Sequence, residues 1–305
     1  MTGSSPIVGI ELGGTKCVAM LASGPGAVLE RVRVPTTRPA ETLAALEEAI
    51  DGWRGFAAIG IASFGPVGID RSAGDYGRIT ATPKPGWSGT DVARRIAARY
   101  GVPTGFNSDV AGAALGEARW GAGRGLGDLA YVTVGTGIGV GLIAGGRPVE
   151  GLANGELGHV RPVRRAGDGW GGICPFHGAC VEGLAAGPAI AARTGIKAED
   201  LPRDHPAWDG VVHALAQLLH MVVLTGVPRR IVMGGGVMVG SQFLFPRVRA
   251  LVRQSLNGYV ARPEVEDIDT YIVPAALGAD AGPLGALVLG AQALGRGAQA
   301  LGRDV

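Results

Sequence analysis

The sequence is poor in cysteine and has no long hydrophobic run. Three cysteines among 305 residues argue against a disulfide framework. No run of 18 or more apolar residues occurs, so a membrane-spanning helix is not predicted. Residues 1–6 contain no basic segment followed by an apolar stretch, and a secretory signal is not expected. These absences favour a cytoplasmic protein.

The sequence also lacks a strong charge of either sign. Its net charge is +2, and no basic tract is present, so neither nucleic acid nor an anionic membrane is expected as a partner. Hydrophobic residues make up 47% and charged residues 18%, which is typical of a globular protein. The length suggests two domains, each large enough to bury a core.

Glycine, in contrast, is abundant. The 54 glycines are about 18% of the chain, against about 7% in an average protein. They form short clusters after apolar segments, where glycine lets the backbone turn sharply or approach a ligand closely. The clusters are Gly13-Gly14, then Gly135, Gly137, Gly139 and Gly141, and finally Gly234-Gly235-Gly236.

The hydrophobic pattern predicts alternating strands and helices. Strands are expected at 7–12, 16–21, 29–34, 56–63, 102–106, 129–134, 139–144, 230–233 and 271–274. Helices are expected at 41–53, 91–100, 111–119, 210–225, 243–256 and 281–294. The order strand, glycine turn, strand opens each half, which indicates a duplicated α/β unit with a cleft between two α/β domains.

The predicted domain boundary lies between residues 115 and 116. An N-terminal α/β domain would comprise 1–115, with the C-terminal helix at about 281–305 packing back on it. A larger C-terminal α/β domain would comprise 116–280 and carry the loop that is rich in cysteine and histidine.

Two glycine–threonine turns could hold phosphate. Residues Gly13, Gly14, Thr15 and Lys16 follow the first strand, and Gly135, Thr136 and Gly137 follow the strand that opens the second half. Such turns offer backbone N–H groups and a hydroxyl to an anion, although each alone could be a tight hairpin. Neither matches the pattern of a P-loop or of a dinucleotide-binding fold. The third cluster, Gly234 to Gly236, could receive adenine or ribose, or could be a strand-to-helix turn.

A metal site is predicted in the second half. His159, Cys174, His177 and Cys180 lie within 22 residues, and thiolate and imidazole are preferred zinc ligands. Four such ligands leave no open position for water, so the zinc would be structural. The alternative is a pair of buried free cysteines beside a surface histidine.

Three carboxylates are candidates for catalysis or sugar binding. Asp109 follows a strand and begins a helix, so it could be catalytic, or either Ser108 or Asp109 could be the helix N-cap. Glu156 and Glu182 flank the predicted zinc ligands. Carboxylate oxygens accept hydrogen bonds from sugar hydroxyls, although each of these two residues could instead be an exposed charge.

Taken together, these motifs resemble the ROK family of sugar kinases, which has the actin-like ATPase (ribonuclease H-like) fold. The resemblance covers nearly the whole chain. It is carried by residues 9–16 (GIELGGTK), Asp109 with 113–117 (AALGE), 134–139 (VGTGIG), 156–159 (ELGH) and the loop 174–180 (CPFHGAC).

The resemblance implies roles for these positions. The two glycine–threonine turns and the Gly234–Gly236 cluster would bind ATP, and Glu11 would orient Mg²⁺. Asp109 would be the general base of phosphoryl transfer. Glu156, His159 and Glu182 would contact the sugar, and His159 would also bind structural Zn²⁺. Gly65, Pro66 and Ser108 complete the expected sugar-binding set. A homodimer is expected because relatives form one.

Two features point to the fructokinase branch, and hence to ATP-dependent conversion of D-fructose to fructose 6-phosphate. One is the segment 82–87 (TPKPGW); the other is C-x-x-H-x-x-C followed by 182–185 (EGLA). Glu11, where many members have aspartate, also resembles that branch. Ser108 and Ala111 depart from the family pattern beside the proposed base.

Three alternatives stay open. The substrate could be glucose, mannose or an amino sugar. The chain could be a sugar sensor without catalytic activity, although it keeps Asp109 and both turns. A sugar-responsive repressor would need a helix-turn-helix before the first strand, for which residues 1–6 leave no room.

Overall fold

In the computed structural model, which describes residues 5–295, the strands form two five-stranded sheets. The first sheet has the order β3-β2-β1-β4-β5 and the second the order β10-β9-β6-β7-β8. The strands are β1 (Ile7–Leu12), β2 (Lys16–Ala22), β3 (Val28–Pro35), β4 (Ile59–Ser63), β5 (Thr104–Ser108), β6 (Leu129–Val134), β7 (Ile138–Ala144), β8 (Arg147–Pro148), β9 (Ile231–Gly234) and β10 (Ile272–Pro274).

Helices connect and cover these strands. They are α1 (Pro39–Asp51), α2 (Ala93–Tyr100), α3 (Asp109–Trp120), α4 (Val181–Ala185), α5 (Gly187–Thr194), α6 (Ala207–Gly226), α7 (Gly236–Gly240), α8 (Phe245–Leu256), α9 (Pro263–Glu266), α10 (Ile268–Tyr271) and α11 (Ala281–Ala293). Short 3₁₀ turns lie at Leu157–His159, Gln242–Leu244 and Gly278–Asp280.

The chain divides into two compact units. Among the described residues, unit 1 comprises 5–127, 141–155 and 279–295, and unit 2 comprises 128–140 and 156–278. The first sheet lies in unit 1. The strands β6, β9 and β10 and the first residues of β7 lie in unit 2, because the division falls within β7.

In unit 1, three glycines form a row across the first sheet. Gly9, Gly60 and Gly105 are paired in register on the parallel strands β1, β4 and β5. A Cβ on Gly60 would lie 1.7 Å from the carbonyl oxygen of Ala286, and one on Gly105 would lie 2.3 Å from that of Leu289. The row therefore lets the backbone of α11 lie directly on the sheet. Part of the glycine excess thus serves helix packing rather than ligand binding.

The opposite face of the same strands is apolar. Because side chains alternate along a strand, Ile10, Leu12 and Ile61 point away from α11. They join a core that includes Leu43 and Leu46 of α1, all of them at most 1% exposed. Helices therefore cover both faces of this sheet, an α/β arrangement of three layers.

In unit 2, α6 is the central helix. Its Trp208 is fully buried and donates its indole N–H to the carbonyl of Pro202 at 2.9 Å. By length and composition α6 could cross a membrane, with a hydropathy of 1.4 over an 18-residue window. However, 61% of that window is buried inside the protein, as in the core helix of a globular protein.

The predicted strands and long helices all occur, with ends that differ by a few residues. The sequence does not predict β8, α4, α5, α7, α9, α10 or the three 3₁₀ turns. All of these except α5 span five residues or fewer, which is too short for a periodic signal. The predicted domain boundary at 115/116 falls inside α3, whereas the two units divide after residue 127. α3 belongs to unit 1 because it packs on α11 along its length. Residues 296–305 of the predicted C-terminal helix lie outside the described residues.

Candidate active site and metal centre

The first glycine–threonine turn joins β1 to β2. The N–H of Gly13 donates to the carbonyl of Lys16 at 3.1 Å, and the hydroxyl of Thr36 donates to the carbonyl of Gly13 at 2.7 Å. A Cβ on Gly13 would lie 2.6 Å from the oxygen of Lys16, so this tight turn requires glycine. Gly14 and Thr15 are exposed at its tip, where an anion could reach them.

The second turn joins β6 to β7 in unit 2. The N–H of Gly135 donates to the carbonyl of Gly137 at 2.9 Å, and Thr136 is exposed. A Cβ on Gly135 would lie 3.5 Å from the backbone nitrogen of Gly236. The second turn and the Gly234–Gly236 cluster are therefore neighbours within unit 2.

The Gly234–Gly236 cluster is itself a strand-to-helix turn. Gly235 has φ +84° and precedes α7, and a Cβ there would lie 2.5 Å from the carbonyl of Val134. A side chain on Gly234 would collide with the phenol oxygen of Tyr131, 2.3 Å from the added Cβ. The bare backbone leaves a surface on which a flat base or a ribose could lie.

Asp109 lies at the junction of β5 and α3. Ser108 is the N-cap of α3, since its hydroxyl accepts the N–H of Ala111 at 3.2 Å. Asp109 is the first helical residue, and its Oδ1 accepts the N–H of Val110 at 2.8 Å. Its side chain is partly exposed. Ser108, and not Asp109, is therefore the N-cap of α3, and the Asp109 carboxylate stays partly accessible to solvent.

Glu11, near the end of β1, is electrostatically coupled to Asp109. Burial, followed by the negative charge of Asp109, raises the pKa of Glu11 from 4.5 to about 7, against the opposing charges of Lys16 and Arg31. The backbone of Gly282, at the start of α11, lies directly beside this carboxylate. A Cβ on Gly282 would lie 2.1 Å from Oε1 of Glu11. Glu11 and Asp109 thus both contribute negative charge to this part of unit 1, which suits a hard divalent cation.

Lys84 is a site residue that the sequence analysis did not single out. Its ammonium donates to the carbonyl of Gly14 at 2.6 Å, so it adds a cation to the first turn. The segment 82–87 is anchored by Trp87, which is fully buried and donates its indole N–H to Thr37 at 2.8 Å. Position 84 is 70 residues from Gly14, and no local signal in the sequence links them.

The predicted zinc ligands lie together in unit 2. The ligand atoms of His159, Cys174, His177 and Cys180 are all within 4.8 Å of one another. Nδ1 of His159 lies 3.7 Å from Sγ of Cys174 and 3.6 Å from Sγ of Cys180, and Nδ1 of His177 lies 3.7 Å from Sγ of Cys174.

These separations fit zinc. A tetrahedron with Zn–S of about 2.3 Å and Zn–N of about 2.0–2.1 Å has sulfur–nitrogen edges of about 3.6 Å. Both cysteines are buried, and no disulfide joins them. The four donors are therefore arranged as a closed zinc site would require.

Glu182 and Glu156 lie beside this cluster. Oε1 of Glu182 is 3.8 Å from Nε2 of His159, and Oε2 of Glu182 accepts the N–H of Ile138 at 2.9 Å. Burial raises the pKa of Glu156, with the charge of His159 opposing the shift and that of Glu182 adding to it. Glu182 is partly buried and hydrogen-bonded, so it is not simply an exposed surface charge, whereas Glu156 keeps an exposed side chain despite this partial desolvation.

The remaining predicted positions are placed as follows. The Gly65–Pro66 bond is cis, and the carbonyl of Pro66 accepts the N–H of Thr80 at 2.8 Å. His213 bonds the carbonyl of Val163 at 2.7 Å, and His220 bonds Ser255 at 2.9 Å. Both histidines therefore make structural contacts.

The fold and these residues are those expected of a sugar kinase of the actin-like ATPase class, and the comparison with family models gives the family. The model of the ROK family matches residues 7–293, so the chain belongs to the ROK family. The chain is 43% identical over 289 residues to a putative fructokinase of Bacillus subtilis, covering 94% of this chain and 95% of that protein. It is 40% identical to a fructokinase of Pediococcus pentosaceus, covering 93% and 97% of the two chains.

Solved structures show the same fold. The ROK hexokinase from Thermus thermophilus is 30% identical, with a TM-score of 0.76 over 96% of this chain and 100% of that chain. A ROK glucokinase from Streptomyces griseus, solved in complex with glucose and AMPPNP, is 26% identical, with a TM-score of 0.74 over 94% and 99% of the two chains.

Proposed function

We infer that this chain is a fructokinase, which transfers the terminal phosphoryl group of ATP to D-fructose and forms fructose 6-phosphate. The observation that carries this conclusion is a group of five relatives named fructokinase, one of them as putative. They are 38–43% identical to the chain over 83–94% of its length. The carboxylates, glycine turns and Cys/His cluster described above supply suitable chemistry.

Binding of the ATP phosphates is assigned to the two glycine–threonine turns. Backbone N–H groups near Gly14, Thr15 and Thr136 offset the negative charge that spreads over the phosphoryl group during transfer. Lys84 adds a positive charge beside the first turn. The Gly234–Gly236 cluster is proposed to receive the adenosine part, since it adjoins the second turn within unit 2.

Proton transfer is assigned to Asp109. Its carboxylate accepts the proton of the primary hydroxyl at C6 of fructose as that oxygen attacks the γ-phosphorus of ATP. Glu11 is proposed to hold Mg²⁺ or its water ligands. The cation would stabilise the ionised form of Glu11, because a pKa of about 7 leaves part of this carboxyl protonated at neutral pH when no cation is bound.

Sugar binding is assigned to Glu156, His159 and Glu182, with Gly65, Pro66 and Ser108 completing the contacts. Carboxylate and imidazole groups can each bond hydroxyls of the sugar ring. His159 is proposed to hold zinc through Nδ1, which leaves Nε2 for a polar partner. Zinc, held also by Cys174, His177 and Cys180, would supply a structural cross-link of this loop and no catalytic water.

We also propose a location and an assembly for the protein. The composition and the sugar-kinase relatives support a cytoplasmic protein. A homodimer is proposed because ROK relatives are expected to form one.

A coupled assay of ADP release with a panel of sugars tests the function. Fructose, glucose, mannose and N-acetylmannosamine are supplied separately with Mg²⁺ and ATP, and we expect the largest kcat/KM with fructose. A larger kcat/KM with glucose or mannose would make the chain another hexose kinase, which is the second candidate because a ROK hexokinase is 30% identical. No ADP release with any sugar would contradict the enzyme assignment.

A further inference from the structure

The two carboxylate oxygens of Glu182 have different partners within unit 2. Oε2 accepts the backbone N–H of Ile138 at 2.9 Å. Ile138 directly follows Gly137, and a Cβ on Gly137 would lie 2.7 Å from the same oxygen. Oε1 lies 3.8 Å from Nε2 of His159. One side chain therefore connects the second glycine–threonine turn to a residue of the metal centre.

His159 connects Glu182 in turn to the two thiols. Its Nδ1 lies 3.7 Å from Sγ of Cys174 and 3.6 Å from Sγ of Cys180. A histidine that binds a metal through Nδ1 keeps its proton on Nε2, and that N–H usually faces a carboxylate or a carbonyl. Oε1 of Glu182 is the carboxylate oxygen beside Nε2, at 3.8 Å, which is longer than a hydrogen bond. The pair is therefore placed to become the outer-shell bond of a metal ligand rather than already forming it.

The helix that carries Glu182 also begins at a metal ligand. Cys180 is the N-cap of α4, and its Sγ accepts the N–H of Gly183 at 3.4 Å. Glu182 is in the first turn of this helix. A five-residue helix gains little stability from its own backbone, so its orientation depends on such fixed points.

Two further contacts join the same segments to the second turn. The N–H of Gly187 donates to the carbonyl of Gly135 at 2.8 Å. A Cβ on Gly158, the residue before His159, would lie 1.8 Å from the carbonyl of Ile138. One end of the turn is thus bonded to the residue that begins α5, and the other end closely approaches the residue before His159.

We propose that Glu182 is a positioning residue for nucleotide binding, which transmits occupancy of the metal centre to the Gly135–Gly137 turn. The proposal rests on the function proposed above for that turn and adds a role for Glu182 beyond its contact with sugar. When zinc holds His159, the imidazole holds the side chain of Glu182 through Oε1. Oε2 of Glu182 then fixes the position of the Ile138 N–H at the end of the turn. When zinc is absent, His159 and α4 lose their anchor, and the turn loses its phosphate-binding geometry.

Affinity for nucleotide in the absence of sugar tests this proposal. The dissociation constants of Mg²⁺–ADP and Mg²⁺–AMPPNP are measured by calorimetry on zinc-loaded protein, for wild type, Glu182→Ala and Glu182→Gln. We expect Glu182→Ala to weaken binding about tenfold, the effect of losing one hydrogen bond to a charged group. Glu182→Gln keeps an oxygen that can accept the N–H of Ile138, so its affinity should be close to wild type. Glu199→Ala is the matched control, because Glu199 is an exposed glutamate of unit 2. This variant should leave both dissociation constants unchanged.

Removal of zinc provides a second, independent arm. Wild type stripped by a chelator should bind Mg²⁺–ADP about as weakly as Glu182→Ala, and re-addition of zinc should restore the affinity. In Glu182→Ala, stripping should cause little further loss, because the connection is already broken. Metal content and circular dichroism of each sample verify that zinc was removed and that the fold persists.

The proposal is overturned if Glu182→Ala binds both nucleotides within twofold of wild type and only the KM for fructose rises. It is also overturned if zinc removal and Glu182→Ala weaken binding by independent, multiplicative factors. If stripping unfolds the protein, the zinc-loaded Glu182→Ala and Glu182→Gln pair decides. A chain that shows the expected nucleotide coupling but phosphorylates no hexose would instead contradict the proposed function.

Discussion

Asp109 is the residue on which the proposed chemistry depends most. Asp109→Asn removes the proton acceptor but preserves size, and it leaves the cap of α3 to Ser108. We expect kcat with the preferred sugar to fall by about 10²–10⁴, the usual contribution of a general base, while the unfolding temperature changes little.

Steady-state assays and thermal unfolding of the Asp109→Asn variant check this expectation. Asp204→Asn, the same substitution at an exposed position of unit 2, is the control and should retain wild-type kcat. A purified Asp109→Asn protein with near wild-type turnover would show that the base has been assigned wrongly.

Glu11 should make the stability of the nucleotide-free protein depend on pH. Its pKa is about 7 in the folded protein and 4.5 ordinarily, so between these values the folded state keeps a proton that the unfolded chain releases. The free energy of unfolding contributed by Glu11 therefore falls as pH rises through this window. Glu11→Gln abolishes this titration, and its stability relative to wild type should increase from about pH 5 to about pH 8.

Thermal unfolding at several pH values, without Mg²⁺ or nucleotide, measures the difference in stability between Glu11→Gln and wild type. A difference that stays constant over this range would contradict the raised pKa. With Mg²⁺ and nucleotide bound, the ionised form is favoured instead, so the advantage of the glutamine should shrink.

At the scale of elements, the loop 174–180 should depend on zinc. We expect one zinc per chain by elemental analysis, and its loss in Cys174→Ser or Cys180→Ser together with a lower unfolding temperature. Cys17→Ser is the matched control, since Cys17 is buried in unit 1 and contacts Thr36 rather than the cluster. Wild-type zinc content in Cys180→Ser would exclude the proposed ligand set.

The glycine row beneath α11 yields a second prediction at this scale. Gly60→Ala places a Cβ 1.7 Å from the carbonyl of Ala286, so the helix must move away from the sheet. We expect a loss of about 1–3 kcal/mol or more of unfolding free energy, as in overpacked cores.

Chemical denaturation measures the effect of Gly60→Ala. Gly226→Ala, at the end of α6, meets nothing within 4 Å and should stay within about 0.5 kcal/mol of wild type. Equal stability of the two variants would mean that α11 does not rest on the glycine row.

For the molecule as a whole, the sequence predicts the long elements well. The run from Ile7 to Leu12 and the spacing of Leu43 and Leu46 carry their own periodicity, and they form β1 and α1. The four proposed zinc ligands are likewise near one another in sequence, so their proximity in space is predictable.

Contacts that depend on long-range packing could not be predicted. Nothing near Lys84 indicates that its ammonium reaches Gly14, because the buried Trp87 sets the path of that loop. Gly9, Gly60 and Gly105 form a row only after parallel pairing brings their strands into register. The bond from Ile138 to Glu182 spans 44 residues and requires a short helix that has no periodic signal.

The placement of α11 has a consequence for synthesis of the chain on the ribosome. Unit 1 begins with the first strand but lacks the helix that covers one face of its sheet until residue 293 has been made. Every residue of unit 2 has been made by residue 278. The first unit to start is therefore the last to be completed, and the glycine row of the nascent sheet has no helix on it until the end of the chain is made.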